Sequence, residues 1–312
     1  LAVSITLIGA VLGFKVIMKL QKYLTLITVL LTLGYVLLTL DSVRWSAVFE
    51  VPSGPIQGFV GALIFGITGI GLGWVNAAAD YSRYLPRSVK SQSVVAWTVL
   101  GASIVPITLV TYGAALSASD AKLSEAIAMD PIGALTTLLP TWYLVIFSLV
   151  AILGLVGGAI LNLYSSGLTL VSLGVPVKRH VAVSIDGVLM LIGVVYIVWV
   201  ADNFFAPFQG FLITLGVPVA AWSAVFVTDV LLRKKSYSEA DLFNPLGRYG
   251  SVNWSSILTV VIASIIGWGF VTNTFASWLS WQGYFLELIG GKDGAWAYSN
   301  VGVIFAMVVG VL

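Results

Sequence analysis

The chain has 312 residues, of which 59% are hydrophobic and only 9% are charged, and its formal net charge is +2. Soluble domains carry about 25% charged residues, so this composition, with a mean hydropathy of +1.03, indicates a membrane protein. The absence of cysteine excludes disulfides, iron–sulfur clusters and thiolate zinc sites, and a single histidine excludes a His-rich metal or haem site. The small net charge gives no reason to expect a nucleic-acid partner.

Uncharged apolar runs, separated by charges and turn residues, predict about nine membrane helices. The predicted spans are residues 1–18, 23–40, 57–84, 92–116, 141–173, 180–200, 204–232, 254–272 and 295–312. Two prolines bound residues 131–140, which limits that segment to a short surface helix or a re-entrant segment. Apolar runs of about 20 residues cross a bilayer as helices, so the expected fold class is an all-α polytopic membrane protein.

The distribution of lysine and arginine predicts the orientation of these spans. Twelve of the fifteen basic residues fall on one side of the membrane, and the remaining three, Arg44, Lys122 and Lys292, fall on the other. Loops rich in Lys and Arg are cytoplasmic, so we expect the chain to begin outside and to end in the cytoplasm. Leu1 lies inside an apolar run without a charged segment before it, which is unlike a signal peptide. Since a complete transporter more often begins inside, we also expect an odd number of further helices upstream.

The segment from Gln57 to Arg87 is the least regular of the predicted helices. Glycines occupy positions 58, 61, 66, 69, 71 and 73. Each costs about 1 kcal/mol relative to alanine in a helix interior, and a lipid-facing helix has no use for that loss. A helix interrupted at mid-membrane, whose bare backbone lines a cavity, does use such residues. The pattern therefore predicts the discontinuous helix of a secondary transporter at 57–84.

Trp74 and Asn76 follow Gly73, the last of these glycines, and all three are candidate substrate-binding residues. A tryptophan at mid-span offers a flat stacking surface, and its depth argues against a place in the interfacial aromatic belt. Gly73 belongs to the bare backbone that can line the cavity. The alternatives are a Trp74 side chain packed on a neighbouring helix and an Asn76 side chain that caps the next helical piece.

Asn162, in the sequence GGAILNLYSSGL, is a second candidate substrate-binding residue. An amide in the middle of a span faces the interior of a helix bundle, and it can match the edge of a base because it holds both a donor and an acceptor. The alternative is an ordinary interhelical hydrogen bond. Gly157 and Gly158, one turn earlier, allow close helix approach or leave room for a ligand. Ser165 and Ser166 are weaker candidates, since hydroxyls in membrane helices often bond to their own helix.

Asp186 lies inside the sixth predicted span and is a candidate for coupling or gating. An ionisable residue within a membrane helix is costly and points to a function such as a proton relay. The alternatives are that Asp186 reaches the membrane surface, or that it pairs with Lys178, Arg179 or His180 near the same face. His180 itself lies in a basic loop, where we expect it to be solvated.

Asp229 and Asp80 are the other two acidic candidates for coupling or gating. Asp229 precedes Arg233 by four residues near the end of the seventh span, a spacing that predicts a structural or gating ion pair. Asp80 lies at the end of the interrupted span, and an ion pair with Arg83 at the cytoplasmic end is the expected role, ahead of substrate binding.

Known catalytic motifs are missing from the sequence. It contains no HExxH, no GxSxG and no P-loop, and no pair of intramembrane acids at catalytic spacing. We therefore predict that the protein is not an enzyme and that it has no catalytic residue, metal ligand or cofactor. A channel would need polar or charged rings at a constriction, and none is visible.

The sequence resembles the nucleobase–cation symporter family, which comprises cytosine, purine, allantoin and hydantoin permeases. GWVNAAADYSRYLPRS at 73–88 looks like the sixth membrane helix of that family, and NLYSSGL at 162–168 looks like the eighth. The segment 228–254 resembles the loop after the tenth helix. GFVTNTFASWLSWQGYFL at 269–286 fits the eleventh helix of the cytosine and purine branch.

The resemblance implies a LeuT-like fold of two inverted five-helix repeats followed by two additional helices. Residues 1–40 would be the remnant of the first repeat, its fourth and fifth helices. Residues 57–232 would be the second repeat, with its broken helix at 57–84, and residues 254–312 the two additional helices. The first three of about twelve helices would then be absent from this sequence, in agreement with the odd number inferred from charge.

The resemblance also implies roles and a function. Trp74 would stack on a base, and Asn162 would hydrogen bond to its edge. In sodium-coupled relatives the eighth helix offers hydroxyls where this chain has the sequence LVGG at 155–158, so proton coupling is favoured over sodium. The expected function is import of a nucleobase, cytosine or a purine, by cation symport with alternating access in the cell membrane of a bacterium. No protein partner is implied.

Three alternatives to this function are kept. The substrate could be a related heterocycle, namely allantoin, uracil, hydantoin, thiamine or pyridoxine. The same scaffold could carry an amino acid. A membrane sensor could bind a ligand without moving it.

Overall fold

The described part of the chain is helical throughout its regular elements. The computed structural model describes residues 2–11, 14–75, 77–86, 88–173, 176–233, 237–242, 244–274 and 276–312. Its α-helices are α1 (Ala2–Val11), α2 (Phe14–Thr39), α3 (Trp45–Glu50), α4 (Ile56–Gly66), α5 (Ala78–Ser82), α6 (Ser91–Ser119), α7 (Ala121–Met129), α8 (Pro131–Thr136), α9 (Thr141–Ser172), α10 (Arg179–Trp199), α11 (Phe205–Leu232), α12 (Glu239–Leu242), α13 (Trp254–Trp268) and α14 (Gly302–Val311). The predicted all-α class is confirmed for these residues.

Six segments of the described chain are long and apolar enough to cross a membrane, where the sequence predicted nine. They are Val16–Ser42, Ile56–Trp74, Ser91–Ser119, Thr141–Ser172, His180–Trp199 and Phe205–Leu232. The central spans agree with the prediction, and the differences lie at the two ends of the chain.

At the start, the predicted spans 1–18 and 23–40 are wrong in their bounds. A helix of 10 residues, α1, is followed by the 26-residue α2, which already begins at Phe14. Lys19 and Lys22, expected in a loop, therefore lie in the first turns of α2. Lysine is a good helix former, and its long apolar stem lets the ammonium group reach the membrane surface from within a helix.

Near the other end, the assignment of residues 269–286 to a membrane helix is wrong. Helix α13 ends at Trp268, and the described residues of the segment that follows form 3₁₀ turns at Ser277–Leu279 and Leu286–Ile289. The chain turns back on itself, because the amide of Gly283 donates to the carbonyl of Trp268 over 2.8 Å. Gly283 has φ +80°, a conformation that favours glycine and ends regular helix. Consequently α13 and α14 have only 15 and 10 residues.

Packing divides the chain into two compact units. Unit 1 comprises Leu1–Pro52 and Ala77–Phe205, and unit 2 comprises Ser53–Asn76 and Ala206–Leu312. These units are defined by contact, whereas the predicted division at 1–40, 57–232 and 254–312 concerns internal symmetry and stays a prediction.

Unit 1 is built around α9, which packs against α1, α2 and α10. Its buried core there includes Ile17 of α2, Ile160 of α9 and Val183 of α10. A second cluster joins α2, α6 and the short helices after α6. In that cluster the Tyr35 hydroxyl donates to the carbonyl of Leu135 over 3.2 Å. The segment between the predicted fourth and fifth spans forms the short helix α8, which Pro131 begins.

Unit 2 packs by small residues that let helix backbones approach closely. A Cβ added to Gly302 of α14 would overlap the carbonyl oxygen of Gly267 in α13. A Cβ at Gly216 of α11 would overlap the Thr68 methyl group in the same way. Without a hydrophobic driving force between helices in lipid, such close packing supplies much of the association energy.

The glycine-rich stretch changes its helical form repeatedly. Regular α4 ends at Gly66, and the chain continues as a π-helical segment, Ile67–Gly71, and then as a 3₁₀ turn, Leu72–Trp74. Up to this turn the stretch belongs to unit 2, whereas the next helix, α5, belongs to unit 1. Segments of π-helix inside membrane helices are frequent at functional sites.

Candidate functional site

In unit 1, the middle of α9 receives side-chain contacts from the chain segment after the interruption. The Ser165 hydroxyl donates to the carboxylate of Asp80. One residue on, the Tyr81 hydroxyl donates to the carbonyl of Leu161 over 2.8 Å. Tyr84 and Tyr164 join their hydroxyls at 2.8 Å. Three contacts within five residues of chain therefore fix α5 and its following turn against α9.

Asp80 does not form the expected ion pair with Arg83 among the described residues. Its carboxylate is held by Ser165, which is only 4% exposed. The Arg83 guanidinium instead lies 5.2 Å from the centre of the Tyr84 ring. The Asp80 side chain of α5 lies against α9, where the small buried hydroxyl of Ser165 reaches its carboxylate. The cytoplasmic-end ion pair predicted for Asp80 is therefore wrong.

Asp186 reaches the next serine of α9. The Ser166 hydroxyl donates to the Asp186 carboxylate over 2.6 Å. This contact joins α10 to α9 and replaces the alternative pairings with Lys178 or His180. The adjacent serines of α9 thus bind two aspartates that come from different helices, α5 and α10. A carboxylate held by a hydroxyl within a membrane span is the kind of group that proton pathways use.

Asn162 lies on α9 beside these serines, and its side chain is exposed in unit 1. Among the described residues, its amide forms no hydrogen bond, unlike its neighbours Ser165 and Ser166. Gly158 lies one turn earlier on the same face of the helix, and a Cβ added there would meet no atom within 4 Å. The α9 face at Gly158 and Asn162 therefore combines open space with an amide that has both a donor and an acceptor available.

For Gly157 and Gly158 the sequence leaves two roles open, close helix approach or room for a ligand. Gly157 has the first of these roles. Its carbonyl accepts a 2.6 Å hydrogen bond from the Gln21 amide of α2. A Cβ at Gly157 would lie 2.8 Å from that same amide nitrogen, closer than real side chains approach. Gly157 thus lies where the Gln21 side chain of α2 meets α9, whereas Gly158 leaves space.

Trp74 ends the 3₁₀ turn of unit 2, and 42% of its surface is exposed. Next to it, the nearest atom that a Cβ at Gly73 would meet is the Thr68 carbonyl oxygen at 3.9 Å. An indole beside uncrowded backbone can offer a stacking face. Asn76 lies outside the described residues, so its predicted role is not addressed. Trp74 belongs to unit 2 and Asn162 to unit 1, and each is described within its own unit.

The predicted pair of Asp229 and Arg233 is present at the end of α11. The closest approach is 2.8 Å between the Arg233 Nη2 and an Asp229 carboxylate oxygen. The Tyr237 hydroxyl also donates to Asp229, and this hydrogen bond raises the pKa of the Tyr237 phenol. The guanidinium lies 4.1 Å from the centre of the Tyr237 ring. Asp229 therefore pairs with a basic residue at the end of α11 in unit 2, whereas Asp80 and Asp186 of unit 1 are held by serines.

A buried polar cluster in unit 2 was missed from the sequence. The Asn273 amide donates to the Gly210 carbonyl over 3.0 Å and to the Thr214 hydroxyl oxygen over 2.9 Å. Gln282 donates to the same hydroxyl oxygen over 3.2 Å, and Trp268 donates to the Thr214 carbonyl. Two amides within an apolar stretch were the available signal. The prediction of a helix at 269–286 conceals this signal, because a straight helix would hold Asn273 and Gln282 apart, whereas the turn brings them together.

The six apolar spans of the described chain indicate a multi-pass helical membrane protein. Residues 2–287 match the model of one family, and the chain belongs to that family, described as permeases for cytosine/purines, uracil, thiamine and allantoin. Its members are transporters and not enzymes. This confirms the family recognised from the sequence motifs.

The comparison with curated proteins gives a relative in Bacillus subtilis (strain 168), named "Putative purine-cytosine permease YxlA". The two are 24% identical over 231 residues, which is 72% of this chain and 48% of the relative. The chain thus spans about half the length of the curated relative it matches. No solved structure matches the chain.

Proposed function

We propose that the protein is a secondary transporter that imports a nucleobase, cytosine or a purine, by symport with a cation. The observation that carries this proposal is the exposed Asn162 amide on α9, beside the open position Gly158 and inside an uncharged span. An amide donor and acceptor together match the edge of a base. A bound base would cover this amide, so an analogue that lacks the matching group would leave the amide unpaired and would be rejected by a large factor.

For Trp74 of unit 2 the proposed role is stacking on a base. Stacking of a base on an aromatic ring contributes about 1–3 kcal/mol in other base-binding proteins. The exposed indole at the end of the Leu72–Trp74 turn supports that role. Asn76 and Gly73 complete the proposed site, Gly73 through its backbone at the helix interruption, which is also the point around which alternating access would operate.

A proton is the proposed coupling ion. Sodium requires several oxygen ligands, and in the sequence LVGG at 155–158 only backbone carbonyls are on offer. Carboxylates, in contrast, lie directly beside the proposed site: Ser165 holds Asp80, and Ser166 holds Asp186. Protonation of one of these carboxylates would remove a charge from the membrane span, where a charge is costly. Asp186 is the proposed proton carrier, with Asp80 and Asp229 in gating roles.

The family and the Bacillus subtilis relative support the proposal that the protein is located in the cell membrane of a bacterium. The concentration of basic residues supports a cytoplasmic C-terminus. The ligand could instead be one of the related heterocycles named in the family description, uracil, thiamine or allantoin, or hydantoin or pyridoxine.

The test is uptake by the full-length protein reconstituted in liposomes. Labelled cytosine, hypoxanthine, uracil, allantoin and thiamine would be compared, and at least one base should show saturable uptake. Trp74→Ala should lower that uptake at least tenfold through the loss of stacking. Trp97→Ala is the matched control, because Trp97 is an exposed tryptophan of α6. Equal uptake by the two variants would refute the assigned site.

The coupling ion is tested in the same liposomes. Uptake should follow an inward proton gradient, should stop when a proton ionophore is added, and should be indifferent to sodium. Asp186→Asn should abolish gradient-driven accumulation while leaving exchange of labelled for unlabelled base. Uptake that needs sodium and ignores the ionophore would overturn proton coupling. Ligand binding without any exchange would favour the sensor alternative, and saturable uptake of amino acids alone would favour the amino-acid alternative.

A further inference from the structure

A groove of about 400 Å³ lies in unit 2 between the end of α11 and the beginning of α13. Its volume is in the range of sites for small ligands. Its lining residues lie between Trp222 and Val261 in the sequence, and none of them belongs to α9 or to the Leu72–Trp74 turn. Of its lining residues, Asp229 alone has a role in the transport proposed above, as a gating residue.

The lining of this groove changes from apolar to polar along the helix axes. Trp222 and Phe226 of α11 face Val260 and Val261 of α13 in the apolar part. The polar part is formed by the Asp229–Arg233 pair at the end of α11 and by Asn253, which caps the start of α13. The polar ends coincide because α11 ends where α13 begins. Such a graded groove matches a molecule with an apolar chain and a polar head.

The place of the groove relative to the membrane narrows the choice of molecule. The apolar span of α11 ends at Leu232, so Arg233 lies where the span meets the membrane surface and the apolar lining lies deeper. In the sequence Arg233 is followed by Lys234 and Lys235, and by the positive-inside rule such a basic segment is cytoplasmic. Clusters of Lys and Arg directly beside a membrane helix attract anionic lipid head groups.

Arg233 is held in position to meet such a head group. Its Nε and Nη2 donate to Asp229, at 3.3 Å and 2.8 Å. Its guanidinium lies near the rings of Tyr237 and Tyr249, at 4.1 Å and 5.4 Å from their centres. A guanidinium has five N–H donors, so the Nη1 donors can bind a phosphate while the ion pair is kept. Asp229, whose charge is already compensated, acts as the positioning residue.

We propose that this groove binds an anionic phospholipid of the cytoplasmic leaflet. Its phosphate lies at Arg233, with support from Asn253, and one acyl chain lies along Trp222, Phe226, Val260 and Val261. The sequence continues after Arg233 with two further lysines, and positive charge beside a membrane helix favours a net negative head group.

The experiment measures lipid binding to the purified full-length protein by native mass spectrometry, with phosphatidylglycerol and phosphatidylcholine as probes. Val261→Trp fills the apolar part, and Ile262→Trp is its control, because Ile262 is similarly exposed (51% against 47%) but does not line the groove. Arg233→Gln removes the phosphate contact. Arg248→Gln is the control for it, since Arg248 is paired with Asp241 outside the groove.

The unmodified protein should retain one phosphatidylglycerol with at least fivefold preference over phosphatidylcholine. Val261→Trp and Arg233→Gln should each weaken its binding about tenfold, the scale of a lost hydrogen bond to a charged group, whereas both controls should stay within twofold. Equal binding by Val261→Trp and Ile262→Trp would overturn the proposal. So would displacement of the lipid by millimolar inorganic phosphate, which would indicate a free-anion site, or equal retention of the two lipids.

Discussion

Helices α9 and α11 are of similar length, 32 and 28 residues, and both are apolar enough to span a membrane. They differ in what they do with their polar and small residues. In the apolar stretch of α11 44% of the residues are buried, against 17% for α9. Small residues of α11 serve close backbone packing, whereas α9 collects hydroxyl and amide contacts from three segments. The two helices thus use these residues differently: those of α11 bring helices together, and those of α9 bind polar groups of other segments.

The largest expected effect comes from truncating an asparagine associated with each helix. Asn162→Ala on α9 should lower base uptake about 10- to 100-fold and leave stability unchanged, because the amide bonds to nothing within the described chain. Asn273→Ala should instead cost about 2–3 kcal/mol of stability, since Asn273 is buried and donates to Gly210 and Thr214 of α11. Uptake assays and thermal unfolding in detergent separate the two outcomes.

The comparison of these two variants requires protein that is folded and correctly inserted, so uptake is measured at equal amounts of each variant in liposomes. A stability loss for Asn162→Ala as large as that for Asn273→Ala would mean that Asn162 is also structural. In that case the distinction between the two helices would fail.

Composition and apolar periodicity were sufficient to predict the all-α class and the central spans, because the hydrophobic effect of a bilayer imposes long apolar helices. They failed where short-range hydrogen bonds decide the fold. The turn at Gly283 depends on a backbone bond to Trp268, which hydropathy does not detect. The prediction ends a membrane helix where charged residues occur, which puts Lys19 and Lys22 outside a helix. Lysine side chains nevertheless extend readily from within helices.

The candidate site shows the same limits. Asn162, Asp186 and the interrupted helix were predicted, since an amide, an acid or a run of glycines is unusual in a membrane span. Their partners were not predicted. Ser166 and Ser165 were expected to bond to their own helix, yet they hold Asp186 and Asp80. Pairings between helices depend on rotation of each helix about its axis, which a single sequence does not determine.

A second pair of substitutions tests packing with glycines of the two helices. Gly216→Ala on α11 should destabilise the protein by about 1–2 kcal/mol, because the added methyl overlaps Thr68 and overpacking outweighs the gain in helix propensity. Gly158→Ala on α9 should raise stability by up to about 1 kcal/mol, since its methyl meets no atom. It should nevertheless slow uptake several-fold, because the methyl enters the space beside Asn162.

Unfolding midpoints and initial uptake rates are the measurements for this pair. Gly101→Ala on α6 is the control for helix propensity, since its added Cβ also has no neighbour within 4 Å. If Gly158→Ala and Gly101→Ala transport equally well, the open face of α9 is not part of the substrate site.

The smallest effect is expected from removing one hydroxyl from each helix. Ser223 of α11 donates to the carbonyl of Val219 in its own helix over 2.7 Å, so Ser223→Ala should change stability by less than about 0.5 kcal/mol. Ser166→Ala removes a hydrogen bond between helices, which in membrane proteins averages about 0.6 kcal/mol and reaches about 1.7. Because that bond holds the Asp186 carboxylate, Ser166→Ala should also reduce proton-driven accumulation several-fold, whereas Ser223→Ala should not. If accumulation falls equally in both variants, the hydroxyl–carboxylate contact has no special part in coupling and the polar centre of α9 serves packing alone.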